Sequence, residues 1–254
     1  MSSSGESVLF NIGAFMLKEL KNELEKLRDP EYKEFQAKII PNISSERILG
    51  VRIPVLRKFA KEKILNSTKT KTEFMMSFPY KYHEGEVLHM MILEKERDIN
   101  LVFEDLDKFL PYVSNWAVSD YASPKVILLN REFTLKHVKK WLAVDPNISP
   151  YKIRYAIKIL KDHFLDEEFS PEYIDWVVNV KSDDYYVEMM KAWFIAEALC
   201  KQYEASIVVL QEYKLDAKTH NQAIQKAIDS RRIDHETKKY LRTFRLPGGV
   251  LKRI

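Results

Sequence analysis

Apolar residues recur along the chain at three- and four-residue intervals, the period of helices that each bury one face. Phe15, Leu20, Leu24 and Leu27 mark a first stripe, which Asp29-Pro30 ends. A second helix is predicted from Glu31 to about Ile40, where Pro41-Asn42 breaks it. Pro54 stands in the first turn of a third, which carries Leu56, Phe59, Ala60 and Ile64. Proline fits there because that position's N–H has no intrahelical partner. Further helices are predicted near 71–78, 84–95, 99–112, 116–129, 131–143, 150–164, 170–179, 184–201, 203–213, 216–229 and 234–244. Pro, Asn, Asp and Ser punctuate them, with helix-start signals such as Ser182-Asp183-Asp184. No low-complexity linker divides the chain, so one domain is expected over 16–245.

Helices so numerous and so alike in length prompt a search for repeats. An apolar-aromatic helix end followed by a polar connector recurs at Phe109-Leu110, Trp141-Leu142 and Trp176-Val177, at offsets of 32 and 35 residues. Repeats of that size built from helix pairs form α-solenoids, in which each pair buries its face against its neighbours. The expected fold is therefore all-α: a curved stack of antiparallel helix pairs with one concave wall.

Composition narrows this further. Only six of 254 residues are glycine, against an average usage of about 7%. Strand-and-turn folds and phosphate-binding loops consume glycine, and none occurs between Glu86 and Pro247. No stretch reaches 18 uncharged apolar residues, so no transmembrane helix is expected. A single cysteine, Cys200, excludes an internal disulfide and a thiolate metal site and suits a reducing cytoplasm. Its apolar run, Ala196–Cys200, reads as a buried small hydrophobe. Residues 1–15 read as a leader without the basic region of a secretory signal, and Met16 as an alternative start.

Charge is unevenly placed. The chain carries +4 overall, yet Arg231–Ile254 holds eight basic residues against Asp234 and Glu236. Arg231, Arg232, Lys238 and Lys239 lead that basic end, and 246–254 form its tail. Such an end suits a polyanion such as nucleic acid, or serves only as a solubilising tail.

Trp116, Asp120, Arg154 and Trp193 are the polar-aromatic candidates for a site, each expected within the second helix of a repeat. Trp116 and Asp120 stand four apart and would share a helix face. Arg154 follows Trp116 by 38 residues and Trp193 follows Arg154 by 39, close to one repeat each. Two tryptophans flanking a carboxylate make an electron-rich slot for a cation. An arginine beside them can hold a phosphate through two hydrogen bonds or fix the carboxylate. Each residue taken singly also fits a packed or surface role.

These residues and others together resemble the AlkD family of alkylpurine DNA glycosylases, bacterial HEAT-like repeat proteins. The resemblance runs over roughly residues 30–245, through Gly50-Val51-Arg52-Ile53-Pro54, His83-Glu84 and Asn115-Trp116 with Asp120. It continues through Arg154 with Ala156-Ile157 and through Asp184-Tyr185-Tyr186-Val187 to Ala192-Trp193 and Glu197. It implies that Trp116 and Trp193 wall a cationic lesion nucleotide and that Asp120 stabilises a developing deoxyribose cation and positions water. Arg154 would contact backbone phosphate. The implied activity excises N3- and N7-alkylated purines from double-stranded DNA without flipping the base and without metal or other cofactor, in the nucleoid-associated cytoplasm. The sequence departs from the family at Ile153, where a second arginine is common, and at Ala192, which replaces a glycine. The Glu31–Asn42 segment stands where active members carry an extra aromatic or basic helix that grips DNA. The alternative expectation is a HEAT-like scaffold that binds DNA or a protein partner without chemistry. Other motifs fail: His83 and His89 are six apart rather than four, which gives no zinc face, and Tyr185-Tyr186 read as packing residues.

Overall fold

The computed structural model describes residues 18–247; the expected leader and most of the tail lie outside them. Among the described residues every regular element is helical. By its internal contacts the chain forms two compact units that divide between Val126 and Ile127.

In the first unit, helix α1 covers residues 18–25, and α2 covers Pro30–Ile39. Asp29 caps α2 by accepting the Tyr32 N–H at 3.0 Å. After a 3₁₀ turn at Ser45–Arg47, Gly50 turns the chain with a φ of 84°. A Cβ there would stand 2.4 Å from the Asp29 carbonyl oxygen and 2.6 Å from the Lys33 nitrogen, so only glycine fits. Helix α3 (Ile53–Phe59) runs on as a π-helical turn, Ala60–Ile64, and α4 spans Thr68–Met75. Helix α5 (His83–Leu93) is buried along all eleven residues and packs on α3, the π turn and α7 (Trp116–Ser119). Amphipathic α6 (Ile99–Phe109) turns Val102, Phe103, Leu106 and Phe109 inward, the spacing of one helix face.

Burial of α5 places four polar side chains in the core, and each has a partner. Glu84, fully buried, accepts backbone N–H groups from Leu49, Gly50 (2.7 Å) and Val51. Glu86 takes Arg47 and the Ser114 hydroxyl and N–H. His89 lies 2.6 Å from Asp105 and 2.9 Å from the Tyr80 hydroxyl. His83 faces the Asn115 amide at 3.1 Å. The His83-Glu84 pair is thus a structural clasp that ties the 49–51 segment and the start of α7 to the core.

The second unit holds α8 (Arg131–Leu142), α9 (Pro150–His163), α10 (Glu172–Asn179), α11 (Tyr185–Lys201), α12 (Tyr203–Gln211), α13 (Ala217–Asp229) and α14 (His235–Thr243). Helix α11 lies between α9 and α13, its two largest packing partners. Helix α8 backs α9, α10 backs α11 and touches α8, α12 packs on α11, and α14 on α13. This is the expected stack of helical pairs, with α9, α11 and α13 starting 35 and 32 residues apart. Asp184 caps α11 through the Tyr186 and Val187 N–H groups, as the Ser182-Asp183-Asp184 signal predicts.

One predicted element is corrected. The helix expected over 116–129 is a four-residue helix and a separate 3₁₀ turn, Lys125–Leu128. Pro124 explains the break, because the residue before a proline is driven out of helical geometry. Cys200 is also half-buried rather than core, with its thiol 3.5 Å from the Ser230 hydroxyl.

Candidate functional site

The four candidate residues fall two in each unit. In the first unit, Asn115 caps α7 by accepting the Val118 N–H, and its amide nitrogen faces Nδ1 of buried His83. That imidazole is held neutral: burial first, then the nearby Arg47 charge, pushes its pKa from 6.5 to about 4. A neutral ring leaves Nδ1 free to accept from the amide. The cap therefore rests on a histidine that must not charge. Trp116 opens the helix, half-exposed, and its indole N–H donates to the Ile39 carbonyl at the end of α2 at 2.9 Å. Asp120 is the C-cap, half-exposed, with the Ser119 hydroxyl 3.1 Å from Oδ1.

Trp116 and Asp120 thus stand at the two ends of one short helical turn, not on the flank of a long helix. The turn is fixed at its start by the His83–Asn115 pair and at Trp116 by α2. Beside Asp120, the Tyr121 hydroxyl accepts from Arg57 of α3 at 3.1 Å. The first unit thus offers a half-exposed carboxylate and an indole on one firmly seated turn, with the Arg57 guanidinium on a neighbouring helix.

In the second unit, Arg154 of α9 is 3% exposed, and its guanidinium donates to the Tyr186 carbonyl of α11 at 2.6 Å. Trp193 projects from α11 at 42% exposure, while Ala192, Phe194 and Ile195 around it are buried. Its ring is not bare. The Lys161 ammonium lies 4.3 Å from the ring centroid and that of Lys226 5.4 Å. Burial, then the positive charge of Arg154, pushes the Lys226 pKa down. Lys158 and Lys161 share Asp162, and their charges outweigh its burial and pull its pKa down. Arg154 and Trp193 are therefore brought onto one basic face of α9, α11 and α13, joined by Lys226.

The basic end divides. Arg232 grips Glu197 through two bonds of 2.6 and 2.5 Å, and Lys239 pairs with Glu236 at 2.9 Å. Glu197 is held below the usual carboxylate range, first by its hydrogen bonds from Arg232. Arg231 and Lys238 make no ion pair among the described residues. Tyr185 and Tyr186 meet edge to face at 5.1 Å, with Tyr185 exposed and Tyr186 half-buried.

Sequence reasoning missed Lys158, Lys161 and Lys226. The first two follow Arg154 by four and seven residues, which puts them on its helix face. Lys226 had no such signal, because only packing of α13 on α11 brings it to Trp193. Among the described residues no cluster of three His, Cys, Asp or Glu side chains is placed to hold a metal. None of the described helices is long and apolar enough to cross a membrane.

A family model described as DNA alkylation repair enzyme matches residues 20–231, most of the chain. No curated protein matches it.

Proposed function

The chain belongs to the DNA alkylation repair enzymes, and from that premise we propose that it hydrolyses the N-glycosidic bond of N3- and N7-alkylated purines in double-stranded DNA. The observation that carries the reading is Asp120, a solvent-reached carboxylate on the short turn that Trp116 opens.

Alkylation at N3 or N7 puts a positive charge on the purine. The base then departs as a neutral molecule and needs no acid to protonate it. As the bond stretches, positive charge passes to the deoxyribose, as in glycoside hydrolysis generally. An ionised carboxylate opposite that charge lowers the barrier, and it also accepts a hydrogen bond from the attacking water. Trp116 offers a ring for the cationic base, and Trp193 is proposed as a second such wall. Neither step calls for a metal or a redox partner. Because the leaving group carries its own driving force, the base need not be extruded into a deep pocket. The lesion is proposed to stay stacked.

Arg154, Lys158, Lys161 and Lys226 supply positive charge for the phosphate backbone, with Arg231 and Lys238 as outlying contacts. The lysines on Trp193 favour one rival reading, a helical scaffold that holds DNA without chemistry. A duplex with one 7-methylguanine, compared with the same duplex carrying a neutral lesion such as uracil, separates the two. Release of the cationic base alone supports the glycosylase. Salt-dependent binding with no release of either base leaves the scaffold.

A further inference from the structure

We infer that Lys161 and Lys226 determine specificity: they are resident cations on the Trp193 ring and yield it only to a cationic base that brings phosphate with it. The site would then take an alkylated purine as part of a phosphodiester chain and refuse the free cationic nucleoside. This rests on the reading of Trp193 as a wall for a cationic base.

The ring is the exposed patch on an otherwise buried stretch of α11, and it is bracketed from both neighbouring helices. Lys161 reaches it from α9 and Lys226 from α13. An aromatic face attracts any cation, so a second cation approaching Trp193 competes with these ammonium groups. Both are tethered to the protein, and tethering gives them a high effective concentration against a free competitor. The surroundings add to the bias. Arg154, Lys158, Lys161 and Lys226 stand on this face against Asp162, which already serves two lysines. Of the other acids nearby, Glu197 is committed to Arg232 and Lys201, and Asp229 receives the Gln225 amide. An unaccompanied cation meets a positive field and an occupied ring.

A phosphodiester reverses both effects. Each ammonium exchanges the ring for a charge-assisted hydrogen bond to a phosphate oxygen, the stronger of the two interactions. Lys226 is suited to leave, since burial and Arg154 already penalise its charge where it stands. The ring is then uncovered at the moment DNA is in place. Undamaged DNA also uncovers it, but a neutral base gains little from the vacated face.

The test uses the whole chain and titration calorimetry with two probes, the nucleoside 7-methylguanosine and a duplex containing 7-methylguanine. Wild type, K161Q, K226Q and the double variant K161Q/K226Q are compared, with W193A added to the double variant as a control. The double variant is expected to bind the nucleoside about tenfold more tightly than wild type, a modest cation–π gain. W193A is expected to abolish that gain, and the double variant to lose affinity for the duplex. Gained binding is a readout that loss of fold does not mimic. A nucleoside affinity no tighter than that of wild type, undetectable binding in both included, overturns the inference. Base release from the duplex by wild type is measured alongside. If release stands while the nucleoside gain is missing, this inference alone falls; if release is absent, the glycosylase reading falls.

Discussion

Protonating His83 should loosen the turn that carries Trp116 and Asp120. The imidazole is 1% exposed, accepts the Asn115 amide, and sits in the first turn of α5, where the helix dipole opposes positive charge. Its pKa falls from 6.5 to about 4 in the folded chain. The unfolded chain therefore binds a proton that the folded chain refuses. The stabilisation is fully present above the unfolded value and is lost as pH falls through the folded one. A displacement of that size is worth about 3 kcal/mol. Nearby Glu84 and Glu86 titrate too, both raised by burial, so the wild-type curve alone does not isolate the histidine. His83→Gln does, because an amide oxygen can still accept from Asn115 and cannot take up a proton. Urea unfolding of both proteins from neutral pH down to about pH 4 gives the difference. The wild type should lose about 3 kcal/mol relative to the variant across that window. A difference that stays flat with pH would refute the buried, neutral imidazole.

Other consequences follow from the same geometry. Gly50→Ala should cost about 2–5 kcal/mol in urea unfolding: a left-handed alanine costs about 1–2, and overlap with the Asp29 and Lys33 backbone adds about 1–3. Trp116→Phe removes the bond to the Ile39 carbonyl; unfolding should show a loss of about 1 kcal/mol, and base release should fall by more than binding does. Neutralising Arg231 and Lys238 should flatten the salt dependence of DNA binding by about one unit of slope for each phosphate they neutralise in the wild type. Neutralising Lys239, already paired with Glu236, should change it less.

The second unit was largely readable from the sequence, and the first only in part. Over 131–244 the apolar period is strong and the breaks fall at Pro, Asn, Asp and Ser, so the predicted helices match α8–α14 to within a few residues. The repeat offsets likewise anticipated the spacing of α9, α11 and α13. Around 116–129 the same period misled. The apolar residues Val118, Ala122, Val126 and Ile127 are buried, but Val118 lies in a short helix, Val126 and Ile127 in a 3₁₀ turn, and Ala122 in the irregular stretch before Pro124 that separates the two. Periodicity reports which side chains face inward, not whether the backbone between them is continuous. The site shows a similar limit. Spacing singled out Trp116, Asp120, Arg154 and Trp193, yet it could not show that Arg154 is spent partly on Tyr186 or that Trp193 carries two lysines. Those pairs join residues 32 or 33 positions apart on different helices, and no local pattern encodes them.

In the proposed reaction the chemistry turns on Asp120, and single-turnover release of 7-methylguanine from a duplex tests it most directly. Asn at that position keeps the size of the side chain and removes its charge. The account predicts that wild type releases the base and that Asp120→Asn slows release about 100-fold or more, with duplex affinity little changed. Equal rates for the two proteins, or no release by wild type above the spontaneous background, would contradict it.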